Sequence, residues 1–507
     1  VWSAFPDLEY YFKHSLIQEV VYNGLLRNQR RVIHDRVGHA LERFFDNKSL
    51  EDSETLAYHF KNGHDVCRAV DYLMKSGEKG LKRYALEEAN QYFKEAYEIL
   101  SGNPARSKVE DLQLMELLMR WCLVFYYQGR FEGMSEMLLA HLDMAESSGD
   151  KAKIGAYHAW LGHAVFWKGA GLDASHCYLH RALALGEETG DWQVIGAACS
   201  FLIKTCAERG YLEEAAVFEE RTRGFLELFA SDAFFYITYY SGKAYIDWFR
   251  GDRDELYLTA GELLDYGERV SSLRCTMIGN LLMAVNHFMG QEMEQAIEHT
   301  NTVIDQADPY HVMIARTLKG MFLVYTREFR EAELCLNQVI AYTQREGTEY
   351  LGTTACIFLG AALAAQGNLS RGIRLVETAS EELLKTQRSI FYSLAQFVLG
   401  SIYLQILLKS PGKNLSNLLK NIPFLMKNVF SIRRKAEKHL SMAIESSEKA
   451  GARGFLGQPY LQMGLLFLAA GKPEKARQYL LKATDVFEQC GPQKSLKQAR
   501  DLLSSLV

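Results

Sequence analysis

The stretch Tyr460–Ala483, YLQMGLLFLAAGKPEKARQYLLKA, contains the features that decide the fold of this chain. Apolar residues at helical spacing fill its first half, and Gly471 and Pro473 then mark a turn. A second helical pattern follows, with Ala476 opposite Gly464. Small residues at these two places let a pair of helices cross closely. The stretch therefore predicts a helical hairpin.

The same hairpin pattern recurs with a nearly constant period. Gly320, Gly360 and Gly400 follow one another at intervals of 40 residues, each after a Lys or Leu. A fixed period of this length is typical of an α-solenoid, so we expect about ten helix pairs. The predicted second helices carry a small or apolar residue at matching places, namely Ala89, Met134, Ala174, Ala215, Leu256, Ala296, Ala332, Gly372, Ala436 and Ala476.

The composition fits a helix-rich array and disfavours several other classes of protein. The chain has 507 residues, 48% hydrophobic and 23% charged, with only 8 Pro. This length is too great for one compact core. The net charge of −5 supplies no basic field, so we expect no nucleic-acid partner. The apolar runs are predicted to be too short to cross a bilayer. The 9 Cys form no CxxC motif, which favours a reduced, cytoplasmic compartment.

The order of residues within a unit resembles the tetratricopeptide repeat (TPR). In one unit, Leu161-Gly162 is followed by Gly169 at the turn and by Ala174 and Ala182 in the second helix. The period is longer than the usual length of about 34 residues, which longer helices would explain. HEAT-type repeats share the longer period but lack this residue order. The resemblance implies an all-α, TPR-like α-solenoid, wound as a right-handed superhelix with a concave groove.

The segment before the repeats has a different pattern. The stretch 12–37, FKHSLIQEVVYNGLLRNQRRVIHDRV, predicts two amphipathic helices and is followed by LAYHF at 56–60. This junction resembles the one that closes a winged-helix-like region in bacterial signalling ATPases of the STAND class, before their TPR arrays. The stretch 420–498 is also similar to the ends of those proteins.

The STAND resemblance implies that the chain, which begins at Val1 without Met, is the C-terminal region of a longer protein. An ATPase would precede it, with a class III adenylate or guanylate cyclase or a protein kinase domain as the output. ATP and Mg²⁺ would bind that upstream part, and we expect no cofactor in the present residues. No G-x-x-x-x-G-K-[ST] phosphate loop occurs in the sequence.

The repeats and the junction divide the chain into two predicted parts. Residues 1–50 form the helical junction, and residues 51–507 form the TPR-like array. The step from Gly372 to Ala436 is longer than the others, so we predict an insertion at about 408–432. The surrounding stretch 409–435 is basic and amphipathic, without an acidic residue. It could be an extra packed helix, a partner-docking segment or a weak contact with an anionic membrane.

Candidate binding residues follow from the TPR register, in which the first helix of each pair lines the concave wall. Rings and polar tips on such a wall suit a bound peptide, because they bury area at low entropic cost. The dense aromatic run at 234–249 could serve this wall or simply pack the core. Counting from the Leu-Gly glycine places seven residues on the wall: His163, Trp167, Lys204, Tyr245, Trp248, Asn280 and His287.

Histidines at helical spacing raise the question of a metal site. His176 and His180 are four residues apart, so both could face one ion. The sequence shows no H-E-x-x-H motif and no evident third ligand, so we predict no metal. His59 and His64, five residues apart, should point in different directions. No nucleophile and base stand together in the sequence, so we do not expect an enzyme.

The combined hypothesis is a non-catalytic sensor module. It would bind a protein or peptide partner in its groove and regulate an attached ATPase with a cyclase or kinase output. The alternative is a receptor domain for a small-molecule effector, which an enclosed, aromatic-lined cavity would favour over an open channel. The sequence leaves the oligomeric state open.

Overall fold

The protein is all-α in the residues that the computed structural model describes, which are 15–44, 52–306, 308–408, 421, 424, 426 and 430–506. The chain divides into two compact units, Val1–Val124 and Phe125–Val507. The predicted boundary near residue 50 stays a prediction.

Where the structure describes it, over 15–44 and 52–124, the first unit contains five whole helices and most of a sixth. The predicted amphipathic helices are the first two of these, and Leu16 and Val20 of the first are 71% and 70% exposed. The helices are α1 (Ser15–Gly24), α2 (Arg27–Phe44), α3 (Ser53–Lys61), α4 (Val66–Lys82), α5 (Leu86–Ser101) and α6 (Lys108–Gln128).

The second unit continues from the end of α6 as a succession of antiparallel helices. Its helices are α7 (Phe131–Ala140), α8 (Leu142–Ser147), α9 (Lys151–Lys168), α10 (Leu172–Thr189), α11 (Trp192–Arg209), α12 (Leu212–Arg223), α13 (Ala233–Arg250), α14 (Arg253–Arg269), α15 (Leu273–Met289), α16 (Met293–Ile304), α17 (Pro309–Thr326), α18 (Phe329–Glu346), α19 (Glu349–Ala365), α20 (Leu369–Lys385), α21 (Ser389–Leu408), α22 (Ile432–Ala450), α23 (Gly457–Ala469), α24 (Pro473–Cys490) and α25 (Gln493–Ser504). A short 3₁₀ helix, Arg453–Phe455, precedes α23.

The predicted TPR-like helix pairs are confirmed. Ten pairs, from α4–α5 to α23–α24, follow one another through the described residues. The ladder positions fall near the start of each second helix, and most of them are fully buried. In α10 the predicted position is one residue early. Ala174 is exposed there, and buried Ser175 occupies the contact, donating a hydrogen bond to the Gly162 carbonyl at 2.8 Å.

Close helix crossings explain the glycines of the repeat. A Cβ added at Gly360 in α19 would lie 2.6 Å from the Gly372 carbonyl oxygen in α20, so only glycine permits this approach.

The ends of the first helices are set by capping residues. Asp191 accepts hydrogen bonds from the first backbone amides of α11, and Gly210 ends that helix in the left-handed conformation.

Early and late helix pairs contact one another within the second unit. The Tyr342 hydroxyl donates to the Gln128 carbonyl at 2.7 Å, and Arg388 forms an ion pair with Glu208. A Cβ on Gly210 would meet Ala450 at 2.9 Å. The inner face is therefore filled by the protein's own side chains over this stretch, where the resemblance implied an open groove.

Helix α21 corrects the expectation that no apolar segment could span a bilayer. Its 20 residues, Ser389–Leu408, include an 18-residue window with a mean hydropathy of 1.6, and the helix is long and apolar enough to cross a membrane. In the structure 61% of this window is buried, largely against α22. The helix is thus packed as a core element of the array.

Most of the predicted insertion lies outside the described residues. Within it, Asn421 is buried and donates a hydrogen bond from its Nδ2 to the Gly367 carbonyl at 2.6 Å. Residues 433–435, at the end of the predicted basic stretch 409–435, belong to α22, because that helix begins at Ile432. The choice between packed helix, docking segment and membrane contact stays open for the rest of 409–435.

Candidate functional site

A small cavity lies among the first helices of three successive pairs, α9, α11 and α13. Its volume of about 20 Å³ gives room for about one water molecule or one ligand oxygen atom. Aromatic rings and hydroxyl-bearing side chains share its wall with one lysine. The lining residues are Tyr126, His163, Phe166, Trp167, Ser200, Phe201, Lys204, Thr205, Ile237, Thr238 and Ser241.

The Lys204 ammonium faces this cavity inside a cage of rings. Its Nζ lies 4.1 Å from the ring centre of Trp167, 4.4 Å from that of Tyr245 and 5.7 Å from that of Phe166. Among the described residues no carboxylate oxygen lies within 4.0 Å of Nζ. Burial lowers the pKa of Lys204 to about 8, while the charge of Glu208 raises it and that of Arg388 lowers it. The side chain is therefore cationic at neutral pH without a salt-bridge partner.

Two further polar groups at the cavity lack hydrogen-bond partners among the described residues. They are Nε2 of His163 and Nε1 of Trp167, whose residues are only 6% and 8% exposed. Burial, together with the Lys204 charge, lowers the pKa of His163 to about 3, so its imidazole is neutral. The His163 ring stacks on Phe201 at 4.2 Å, which holds it at the cavity. A buried polar group without a partner costs about 1–3 kcal/mol, so a ligand that satisfied these atoms would recover free energy.

A buried polar cluster flanks the cage on the side of the late pairs. Glu208 forms its ion pair with Arg388 and accepts a hydrogen bond from the Tyr350 hydroxyl at 2.9 Å. Arg388 also donates to the Phe166 carbonyl at 2.5 Å. Because the Glu208 carboxylate is engaged in these contacts, it does not neutralise Lys204 directly. The cage thus keeps its excess positive charge.

The seven residues predicted to line the concave wall divide into three groups. His163, Trp167 and Lys204 line the cavity, and Tyr245 forms one side of the cage. Trp248 packs instead on Phe455, with ring centres 5.6 Å apart. Asn280 and His287 lie in a separate polar cluster with His299, which hydrogen-bonds Asn280 and stacks on His287. A ligand role for any of the seven stays a prediction.

Sequence reasoning missed several cavity residues that come from neighbouring turns of the same helices. The hydroxyl groups of Ser200 and Thr238 meet at 3.3 Å, and Tyr126 approaches from the end of α6. The aromatic run at 234–249 mostly packs: Phe235 stacks on Phe229 at 3.7 Å, and Phe234 stacks on Trp160 at 5.1 Å. Its periodicity alone did not separate the cage member from the core rings.

The other histidines have distinct surroundings. His64 pairs with Asp35 at 2.8 Å, whereas His59 contacts His34, so the expected separation of His59 and His64 holds. His176 and His180 have further candidate ligands that the sequence did not reveal, and the absence of a metal stays a prediction. Cys206 and Glu214, from the next two helices, place ligand atoms near His176, because helix packing unites residues far apart in sequence.

Comparison with known proteins gives little beyond the fold. No family model matches the sequence. Over 108 residues the chain is 32% identical to an uncharacterized protein of Rhizobium meliloti (strain 1021), a match that covers 21% of this chain. It covers only 10% of that relative's length, so the activity of the relative cannot be transferred.

Two solved structures are similar to the chain at low sequence identity. One is the Signal Transduction ATPase with Numerous Domains (STAND) protein with a tetratricopeptide repeat sensor from Pyrococcus horikoshii. It has 12% identity and a TM-score of 0.39, covering 85% of this chain and 68% of that chain. The other is the Rap protein complexed with competence and sporulation factor, with 13% identity and a TM-score of 0.42, covering 85% of this chain and 99% of that chain. At these values neither likeness bears on the ligand. The helix pairs themselves identify the chain as a TPR-like α-solenoid.

Proposed function

We propose that this chain is a non-catalytic interaction module whose inner face recognises a carboxylate group of a protein or peptide partner. The observation that carries the proposal is the Lys204 ammonium in its aromatic cage, which has no carboxylate partner among the described residues and lies beside two polar atoms that lack partners there. An incoming carboxylate would supply a negative charge to Lys204 and an acceptor for the Trp167 indole N–H. Charge-assisted hydrogen bonds of this kind are among the strongest in proteins.

The size of the cavity favours a group of a larger partner over a whole small molecule. Sites that enclose small molecules usually measure about 300–1,000 Å³, far more than this cavity. One carboxylate oxygen could take the place of a water here, while the rest of the partner lies outside. A chain terminus or an acidic side chain meets both conditions.

The partner would act by shifting the balance between arrangements of the array. Because early and late pairs meet beside the cage, a ligand that enters at Lys204 would change the free energy of that closure. Differential affinity for closed and open arrangements is enough to bias an attached domain. In the longer protein that the STAND resemblance implies, the biased domain would be the ATPase with its cyclase or kinase output. A cytoplasmic location belongs to the same proposal.

A second candidate is a receptor for a small carboxylate effector. The aromatic lining of the cavity favours this function, whereas its volume of about 20 Å³ favours the first candidate. Both candidates bind a carboxylate at Lys204 and differ only in the size of the ligand. One experiment with peptides and small carboxylates therefore separates them.

The experiment measures binding of labelled peptides to the purified chain by fluorescence polarisation. A degenerate peptide pool is made in two forms, with a free C-terminal carboxylate and with a C-terminal amide. We expect the free-acid pool to bind at least tenfold more tightly, and the Lys204→Met variant to lose this preference. Lys151→Met is the matched control, because Lys151 lies on α9 in an exposed ion pair with Glu188.

The outcomes separate the candidates. Protection of the chain from thermal unfolding by acetate, succinate or citrate, without peptide binding, would replace the first candidate by the second. Equal binding of both peptide forms, equal binding by Lys204→Met, or no binding in any arm would overturn the proposal. A partner found this way should also change ATP turnover in a protein that carries both this array and an ATPase.

A further inference from the structure

Four potential metal ligands converge where α10, α11 and α12 pack together. His176 and His180 come from α10, Cys206 from α11 and Glu214 from α12. Their positions are independent of the Lys204 cavity, whose lining includes none of them. We propose that these four side chains form a binding site for a divalent transition-metal ion of the Zn²⁺ class.

Three of the ligand atoms, from His176, Cys206 and Glu214, lie within 4.8 Å of one another, and that of His180 lies beside two of them. The Nε2 atoms of His176 and His180 lie 3.0 Å apart, and Oε1 of Glu214 lies 3.7 Å and 3.9 Å from them. The ligand atom of Cys206 lies within 4.8 Å of those of His176 and Glu214. Four ligands at zinc bond lengths of about 2.0–2.3 Å are separated by about 3.3–3.7 Å. Metal binding would draw the more distant ligand atoms together through side-chain movement.

The local sequence explains why these atoms meet. Residues four apart on a helix share one face, so the two imidazoles of α10 point toward the same neighbour. Cys206 lies three residues before the end of α11, and Glu214 lies in the first turn of α12. The short loop between these helices brings both residues beside the histidines. The site thus joins two successive helix pairs.

The surroundings tolerate a cation. The guanidinium of Arg209, whose charge acts on His176, donates to Asp173 at 2.6 Å, so its positive charge is compensated. The side chains of His180 and Glu214 are each 40% exposed, which gives an ion access from solvent. Cys206 is fully buried on the inner side of the site.

The donor set selects the metal. Imidazole and thiolate suit Zn²⁺ and its neighbours, whereas Mg²⁺ and Ca²⁺ prefer oxygen ligands. Four protein ligands would fill a tetrahedral shell and leave no position for substrate, so the ion would act as a structural cross-link. Binding would release the thiol proton of Cys206 to solvent, since the thiolate is the ligand.

The test uses the whole chain after treatment with a chelator. We expect one Zn²⁺ per chain by metal analysis and a higher unfolding temperature with Zn²⁺ than without it. Co²⁺ should produce the visible absorption bands of tetrahedral coordination and a thiolate-to-cobalt charge-transfer band. Cys206→Ala should remove the charge-transfer band, while Cys199→Ala, which alters a buried cysteine on the same helix, should retain it.

Substitutions of the two exposed ligands, His180 and Glu214, should leave the fold intact, so a loss of Zn²⁺ binding in these variants would not reflect unfolding. We expect His180→Ala and Glu214→Gln to weaken Zn²⁺ binding at least tenfold. His299→Ala is the matched control. His299 stacks on His287 at 5.3 Å, and His287 pairs with Glu292, so this cluster also combines two histidines and a glutamate but lies in a different helix pair. The proposal is overturned if the chain binds no stoichiometric Zn²⁺, or if His180→Ala and Glu214→Gln bind it as tightly as the control does.

Discussion

Glu208 and Arg388 form an ion pair in which neither side chain is more than 1% exposed, although 180 residues separate them in the sequence. Glu208 lies near the end of α11, and Arg388 immediately precedes α21. Tyr350 adds a hydrogen bond to the same carboxylate. This contact couples an early helix pair to a late one beside the Lys204 cage.

Breaking this pair should destabilise the second unit strongly. Arg388→Met leaves the Glu208 carboxylate buried without its counter-ion, which typically costs about 3–5 kcal/mol. The double variant Glu208→Met with Arg388→Met should recover most of that loss, because it removes both charges. Urea denaturation followed by circular dichroism measures both. Single variants within about 1 kcal/mol of wild type would show that the pair does not hold the early and late helices together.

The low pKa of Lys204 predicts a pH dependence of stability. Between pH 8 and 10.5 the unfolded chain keeps the Lys204 proton while the folded chain has lost it. The unfolded state then binds more protons, so the free energy of unfolding should rise with pH across this window. The gain should reach about 2–3 kcal/mol relative to Lys204→Met, at 1.36 kcal/mol per pKa unit.

Denaturation midpoints of both proteins at several pH values measure this difference. Well below pH 8, at about pH 6, the difference between wild type and Lys204→Met should be constant, because Lys204 is then protonated in both states. Taking the difference cancels the ionisation of nearby tyrosines. A difference that stays flat from pH 7 to 10.5 would rule out a depressed pKa at this position.

The close crossing of α19 and α20 predicts an intolerance of Cβ atoms. Gly360→Ala should destabilise the second unit by about 1–3 kcal/mol, because the added methyl group overlaps the Gly372 carbonyl. Gly171→Ala is the control: it has a negative φ and no neighbour within 4 Å of the new Cβ. Thermal unfolding of both variants gives the comparison. Equal midpoints would contradict the packing described.

Trp167→Phe separates packing from hydrogen bonding at the cavity. The substitution keeps a ring against Phe131 but removes the unsatisfied indole N–H. In the ligand-free chain we expect stability to fall by less than about 1 kcal/mol, because the lost ring area is offset by removal of an orphaned donor. Binding of free-acid peptides should weaken severalfold. Unchanged peptide affinity would exclude the indole from the recognition of carboxylates.

The helix pairs could be predicted from the sequence, because the repeated residues are those at which the two helices of one pair contact each other. Gly464 and Ala476 lie twelve residues apart and meet across one hairpin, so periodicity alone indicated the pairs. The same reasoning placed Lys204 and Trp167 on first helices, where the structure brings them together. Ala174 was one residue out of register, since Ala and Ser are equally small there.

Contacts between distant pairs could not be predicted. A 40-residue period does not indicate which early helix contacts which late helix. The sequence therefore predicted neither the Glu208–Arg388 ion pair nor the filled inner face. The third and fourth metal-ligand candidates, Cys206 and Glu214, lie on separate helices from the histidines and left no sequence motif. Helix α21 was underestimated as an apolar segment because Ser, Gln and Gly interrupt its run.

The most direct test of the central claim is the pKa of the Lys204 ammonium, measured by NMR on selectively labelled protein with and without a bound free-acid peptide. The account predicts a value near 8 in the free chain, rising toward 10.5 when the carboxylate binds. A value near 10.5 in the free chain, or one that the peptide leaves unchanged, would contradict it.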